Sequence, residues 1–210
     1  MAQFKTTEVQ PFGVILAGGL ARRMGGGDKA LQEIAGETAL ARLARRLAPQ
    51  CAGLALNANG DAARFAAFGL PVVADDVPDF AGPLAGVLAG LEFFAREAGE
   101  AALAVTVPGD TPFAPQDLVA RLTQAQAEAG AEIAVAVSGG RVHHAVALWP
   151  VSLRGALRRA LVDEDVRAVS GFIARHSSVA VDWPVEPYDP FFNVNRPEDV
   201  KTAEEIAKFA

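Results

Sequence analysis

One pattern limits this chain more than any other. Short aliphatic runs, "GVILA" (13–17), "GLALNA" (53–58), "LPVVA" (70–74), "ALAVTV" (102–107) and "EIAVAV" (132–137), alternate with longer segments of helical period. Strands apolar on both faces must be covered on both faces, and helices between them supply the right-handed crossovers. The expected fold class is therefore α/β, a three-layer α/β/α sandwich on a mostly parallel sheet. Residues 37–48 place Leu40, Leu43 and Leu47 at helical spacing with Arg42, Arg45 and Arg46 on the other side, and 83–98 and 115–129 read as further helices. Pro83 and Pro115 suit first turns, and Gly99 and Gly130 suit stops. After Gly139 and Gly140 the alternation breaks. "RVHHAVALW" (141–149) follows too closely for a crossover and is predicted to pair antiparallel, so the late sheet is mixed. Helices around 152–162, 165–175 and 196–208 and a short strand at 178–183 complete the chain, with all 210 residues expected to form one domain.

Lys+Arg 19 against Asp+Glu 25 leaves a net charge of −6, which provides no global field for nucleic acid or acidic membranes. A polyanion must be caught locally. Cys51 is the single cysteine, so no intrachain disulfide and no cysteine cluster for zinc can form. "MAQFKTTEVQPFG" lacks an apolar core of signal-peptide length, and the most apolar stretch, 82–95, is broken by Glu92. A cytoplasmic protein without nucleic-acid or membrane partners is expected.

"AGGLARRMGGGDK" (17–29) leaves the carboxyl end of the first strand, where open α/β sheets bind ligands. Its glycines let backbone N–H groups approach an anion, and Arg22, Arg23 and Lys29 add charge, so a nucleoside triphosphate is the natural ligand. A Walker loop is excluded because Lys29 lies between Asp28 and Ala30. "GGGDKA" (25–30) satisfies the dinucleotide pattern but starts too far past the strand. The bland alternative is a flexible loop with solvated cations.

Other candidates sit at strand ends. "PGDTPF" delivers Asp110 directly after a buried strand, where one carboxylate can hold magnesium, or merely shape a turn. "FFNVN" sets Asn193 and Asn195 on one side of an extended stretch, so both can reach the same site. "NAN" (57–59) alone reads as a turn. Of the adjacent Asp75 and Asp76, one can meet a base or ribose while the other is solvated. "GPLAG" (82–86) offers a helix start to a phosphate or is a tight loop entry. His143 and His144 face opposite ways and suit structural or acceptor-facing roles.

"LAGG" (16–19), "RMGGGDK" (23–29), "NAN", "GPLAG", "PGDTPF" and "FNVNRPEDV" (192–200), in that order, resemble the molybdenum cofactor guanylyltransferases over nearly the whole chain. The resemblance implies a Rossmann-like nucleotidyltransferase fold and transfer of GMP from Mg-GTP to the terminal phosphate of molybdenum-bound molybdopterin, releasing pyrophosphate. It implies that Leu16, Ala17, Gly18 and Gly19 line the nucleotide and that Lys29 binds its phosphates. It further implies that Asn57 and Asp75 contact the guanosine, that Asp110 with Asn195 holds Mg²⁺, and that Lys29, Arg23 and Asp110 carry catalysis. Gly82, Pro83, Leu84 and Asn193 stand as acceptor-binding candidates. Molybdenum-insertion and molybdoenzyme-maturation proteins are the implied protein partners. Gly109 stands where other members have Cys, which removes no ligating group. A cytidylyl- or sugar-phosphate nucleotidyltransferase would use the same cradle; relatives that use CTP tend to carry Ala at the place of Gly18. A catalytically silent nucleotide-binding module is the alternative from another class, and it would have no need of Asp110.

Overall fold

In the computed structural model of the chain, residues 10–18, 29–77 and 82–210 are described. In chain order the elements are β1 (Phe12–Leu16), β2 (Glu33–Ile34), β3 (Glu37–Thr38), α1 (Ala39–Leu47), β4 (Leu54–Asn57), β5 (Val72–Val73), α2 (Pro83–Ala98), β6 (Leu103–Pro108), α3 (Leu118–Ala129), β7 (Ile133–Ser138), β8 (Arg141–Pro150), α4 (Arg154–Val162), α5 (Val169–Ile173), β9 (Ser178–Trp183) and α6 (Pro197–Ile206). Seven strands form one sheet in the order β5-β4-β1-β6-β8-β7-β9. Every pairing in it is parallel except the two that β8 makes. The carboxyl ends of β5, β4, β1, β6, β7 and β9 therefore gather on one edge, together with the amino end of β8.

Strand alternation divides the core. Ile15, Leu54, Leu56, Val105 and Val107 pack with α1 and α3 on one face, while Val14, Ala55, Ala104 and Val135 pack with α2, α4 and α5 on the other. These are the two covered faces that the doubly apolar strands require. A third, smaller cluster joins Ile34, Phe113, Val194, Ala203 and Ile206, and so seats α6 and the segment before it against the β2–β3 hairpin. Among the described residues no helix is long and apolar enough to cross a membrane.

Several expectations change at the level of local chemistry. Helix α1 begins at Ala39 rather than residue 37, because the Thr38 hydroxyl accepts the Ala41 N–H at 3.1 Å and stops helix growth backwards. Glu37 and Thr38 instead pair with β2 across Ala35 and Gly36, both at positive φ, as a two-residue hairpin turn demands. Arg42 and Arg46, on the side of α1 opposite its leucines, are nonetheless each only 8% exposed. The Arg42 guanidinium donates to the Ile34 carbonyl at 3.2 Å, and Arg46 Nε donates to the Ala114 carbonyl at 2.7 Å. The β2–β3 hairpin and the loop after β6 cover Arg42 and Arg46, which serve as internal donors, while Arg45 stays exposed and pairs with Glu37 at 3.2 Å. Pro115 precedes α3 instead of opening it. Gln50 accepts the Val119 N–H at 3.0 Å and donates to the Pro115 carbonyl at 2.9 Å, which caps the helix from a distance. The helix expected at 165–175 is confined to α5, and an unforeseen 3-10 turn spans Ala62–Phe68.

Candidate active site

The site grows from the strand ends. The Leu16 carbonyl accepts the Gly109 N–H at 2.9 Å, and the Ala17 N–H donates to the Asn57 carbonyl at 2.8 Å, so the segments leaving β1, β4 and β6 are stitched side by side. Asp110 follows immediately and its carboxylate is half-buried. Burial pushes its carboxyl pKa above the ordinary range, against the opposing pull of an Asn193 hydrogen bond and the Lys29 charge. An ionised group in such a place is short of positive charge.

The Phe192–Asn195 segment supplies a clamp. Val194 is buried in the third cluster, and its N–H donates to the Asp110 carbonyl at 2.9 Å. The residues on either side of Val194 both turn to the site. Asn193 Nδ2 donates to Asp110 Oδ1 at 3.0 Å and to Thr111 Oγ1 at 2.9 Å. Asn195 Oδ1 accepts from Lys29 Nζ at 2.7 Å. The two asparagines thus reach the same site, as period two requires, but with partners the sequence did not announce. Asn193, a candidate for acceptor binding, positions Asp110. Asn195, expected beside Asp110 as a metal partner, has its oxygen taken by Lys29. Asp199 completes the clamp by accepting the N–H groups of Asn195 and Arg196 at 2.8 and 2.9 Å, as a capping carboxylate at the start of α6.

On the other side of β1, Asn57 is buried and Nδ2 donates to Asp75 Oδ1 at 2.8 Å and to the Val73 carbonyl at 3.1 Å. Asn59 Nδ2 donates to Asp75 Oδ2 at 2.7 Å, and Asn59 Oδ1 accepts the Asp75 N–H at 2.8 Å. The "NAN" turn and Asp75 are one unit. Gly86 of α2 lies tight against it, where a Cβ would stand 2.2 Å from Asn57 Oδ1. Gly18 comes close to the same amide, with a Cβ there 3.5 Å from Asn57 Oδ1. Asp76, the other member of the pair, is exposed, as a solvated acid should be, and also pairs with Arg158 at 2.5 Å, which holds Glu92 at 2.7 Å. At the start of α2, Gly82 and Pro83 are exposed, whereas the Leu84 side chain is buried in the core. Any acceptor contact from Leu84 would have to come from its backbone. Gly19, Arg22 and Arg23 lie outside the described residues.

A cleft of about 420 Å³ opens beside Lys29 and is lined by Arg141, Asp189, Phe192, Asn193, Asn195 and Arg196. Behind it Ser138 Oγ donates to Asp189 Oδ1 at 2.8 Å and sits 2.8 Å from His143 Nε2, whose ring packs on Phe191. Burial lowers the His143 pKa, with Asp189 pulling it back up. His143 is therefore structural, and no sequence signal joined it to Ser138 and Asp189, which lie 51 residues apart.

Among the described residues no three His, Cys, Asp or Glu side chains group as metal ligands. Asp110 is the carboxylate that could carry a cation, with phosphate oxygens and water completing its shell. A parallel sheet edge that presents one half-buried carboxylate, one clamped lysine and a polar asparagine-aspartate unit two strands away defines a nucleotidyltransferase domain.

Comparison with known proteins narrows that class. Residues 13–179 match the family model described as the MobA-like NTP transferase domain. The curated molybdenum cofactor guanylyltransferase of Rhodopseudomonas palustris strain BisB5 is 60% identical over 194 residues, 92% of either chain. The one from Bradyrhizobium sp. strain ORS 278 is 57% identical over 202 residues, 96% of this chain and 95% of its own. Among solved structures, the molybdopterin-guanine dinucleotide biosynthesis protein A of Archaeoglobus fulgidus superposes with a TM-score of 0.74 at 22% identity, covering 95% of this chain and 100% of that one. A Mycobacterium tuberculosis protein solved in complex with manganese superposes with a TM-score of 0.67 at 21% identity, over 93% of this chain and 98% of that one. The chain belongs to the MobA-like NTP transferase family and, within it, to the molybdenum cofactor guanylyltransferases. That membership gives it a role in molybdenum cofactor biosynthesis.

Proposed function

We propose that the protein transfers GMP from Mg-GTP to the terminal phosphate of molybdenum-bound molybdopterin, releasing pyrophosphate, as a single domain in the cytoplasm. The observation that carries this reading is the clamp, in which one segment anchored by buried Val194 holds Asp110 through Asn193 and Lys29 through Asn195. In-line transfer needs positioning and charge neutralisation and no protein nucleophile, and these two groups are the ones so fixed. The names of relatives more than half identical to the chain supply the base and the acceptor.

In this reading an acceptor phosphate oxygen bonds to the α-phosphorus of GTP while the α–β bridging bond breaks and its electron pair leaves with pyrophosphate. Lys29, joined by Arg23 from the glycine-rich loop, neutralises phosphate charge. Leu16, Ala17, Gly18 and Gly19 bring backbone close to the nucleotide, and the Asn57–Asn59–Asp75 unit faces the guanosine. Asp110 would hold Mg²⁺, which when bound offsets charge on the phosphates. The burial that raises the pKa of Asp110 fits a site whose charge is completed by a cation.

Base choice is testable by calorimetric titration with each Mg-nucleotide. Two buried polar contacts at about 1–3 kcal/mol each give a preference for GTP over ATP, CTP and UTP of roughly two orders of magnitude or more. Equal affinity for CTP and GTP would point instead to a cytidylyltransferase.

A further inference from the structure

The β7–β8 hairpin carries a basic residue for which the reaction above gives no role. We propose that Arg141 binds the terminal phosphate of the acceptor and so sets acceptor affinity, a reading that rests on the proposed transfer reaction. Arg141 is exposed at the start of β8, opposite Ser138, and lines the cleft with Lys29 and Arg196. The acids in that lining are already satisfied by other donors. Asp189 accepts from Ser138 Oγ at 2.8 Å and from the Phe191 N–H at 2.9 Å, and Asp199 is used by the N–H groups of Asn195 and Arg196. Among the described residues Arg141 has no carboxylate partner, and the carboxylate paired with Arg196 is Glu198 at 3.7 Å. The cleft therefore faces its occupant with three cations, Lys29, Arg141 and Arg196, against two carboxylates, Asp189 and Asp199, that are turned onto neutral donors, and the Arg141 guanidinium is the one left without an ionic partner among the described residues of that lining and able to meet a phosphomonoester.

Position separates this phosphate from those of the nucleotide. The sheet order sets β5, β4 and β1, with Asn57 and Asp75, on one side of β6, and sets the hairpin on the other. Asp110, just after β6, lies between. An incoming oxygen must approach the α-phosphorus opposite the leaving pyrophosphate, and the cleft lies across Asp110 from the asparagine-aspartate unit. A guanidinium can hold two oxygens of a phosphomonoester and leave the third free to attack. The hairpin tip is suitably fixed. Residues 141–143 pair with β7 alone, the β7–β8 register shifts between Val135 and Ala136, and buried Ser138 and His143 tie the tip to Asp189, four residues before Asn193.

The test compares Arg141→Ala and Arg141→Lys with the parent enzyme, varying molybdenum-bound molybdopterin at saturating Mg-GTP and titrating Mg-GTP alone by calorimetry. R141A is expected to raise the acceptor KM on the order of 10- to 100-fold, with the Mg-GTP Kd and the thermal midpoint unchanged, and R141K to recover part of the loss. An unchanged acceptor KM in R141A overturns the assignment. So does an equal loss of Mg-GTP affinity, which would give Arg141 to the nucleotide phosphates. If the parent transfers no GMP, the transfer reaction itself fails, and Arg141 is then judged by equilibrium binding of metal-free molybdopterin: weaker binding to R141A sustains the phosphate contact, and equal binding removes it.

Discussion

Asn193→Ala isolates the clamp from the groups it holds. The substitution removes the amide that donates to Asp110 Oδ1 and Thr111 Oγ1 but leaves Val194 in its cluster and the Val194 N–H on the Asp110 carbonyl. Hydrogen bonds to charged groups contribute about 1.5–3 kcal/mol, and 1.36 kcal/mol is tenfold in rate, so kcat/KM should fall by roughly 10- to 150-fold. The net effect on the fold is smaller. About 0.5–1.5 kcal/mol corresponds to a midpoint lowered by roughly 1–6 °C for a chain of this size. The pH profile gives an independent sign. Burial raises the Asp110 pKa and the Asn193 bond opposes it, so deleting that bond lets the pKa rise further. The acid limb of the rate profile should move to higher pH. Initial rates of pyrophosphate release at several pH values, with a thermal melt of each protein, measure both effects. A kcat/KM within about twofold of the parent and an unmoved acid limb would refute the clamp.

Asp110→Asn should nearly abolish transfer yet leave the ligand-free protein at least as heat-stable as the parent at neutral pH. A carboxyl whose folded pKa is raised contributes stability that is complete below its unfolded pKa and lost as pH rises through the folded one, so any gain in D110N should close on acidification, and a lower midpoint at neutral pH would contradict it. Gly86→Ala puts a Cβ 2.2 Å from Asn57 Oδ1 and should cost about 1–3 kcal/mol of stability together with Mg-GTP affinity, because Asn57 carries Asp75; unchanged melting and titration curves would remove that contact. Cys51 is buried and its thiol is pushed up to about 12, so a thiol reagent should label the native chain slowly at about pH 8 and label one equivalent on denaturation; rapid native labelling would contradict the burial.

The layers were legible because each central strand is apolar on both faces, and only a covered parallel sheet accommodates that. Asp110 was legible as a candidate because strand ends in such sheets face ligands, whereas "NAN" alone reads as a turn and the strand end does not choose between Asp75 and Asp76, so Asn57 and Asp75 came forward through the family resemblance. Their partners were not, since contacts such as Lys29 to Asn195 join residues 166 positions apart and leave no local pattern. Arg42 and Arg46 of α1 misled for a related reason, while Arg45 is exposed as its side of the helix suggests. Helical periodicity separates polar from apolar residues, but it does not say whether a later loop will cover the polar side and turn Arg42 and Arg46 into buried donors. Losing Arg42 would therefore remove a buried donor from the Ile34 carbonyl. Thr38 could have been read as an N-cap from its residue type, and the helix boundary would have moved with it.

The central claim is tested most directly by following label from GTP. Purified protein is incubated with Mg²⁺, molybdenum-bound molybdopterin and GTP labelled at either the α- or the γ-phosphate. The expected result is α-label in the pterin product and γ-label in pyrophosphate, in equal amounts and only when acceptor is present. α-Label that stays in GTP or GMP, or that reaches a sugar phosphate and not the pterin, would contradict it.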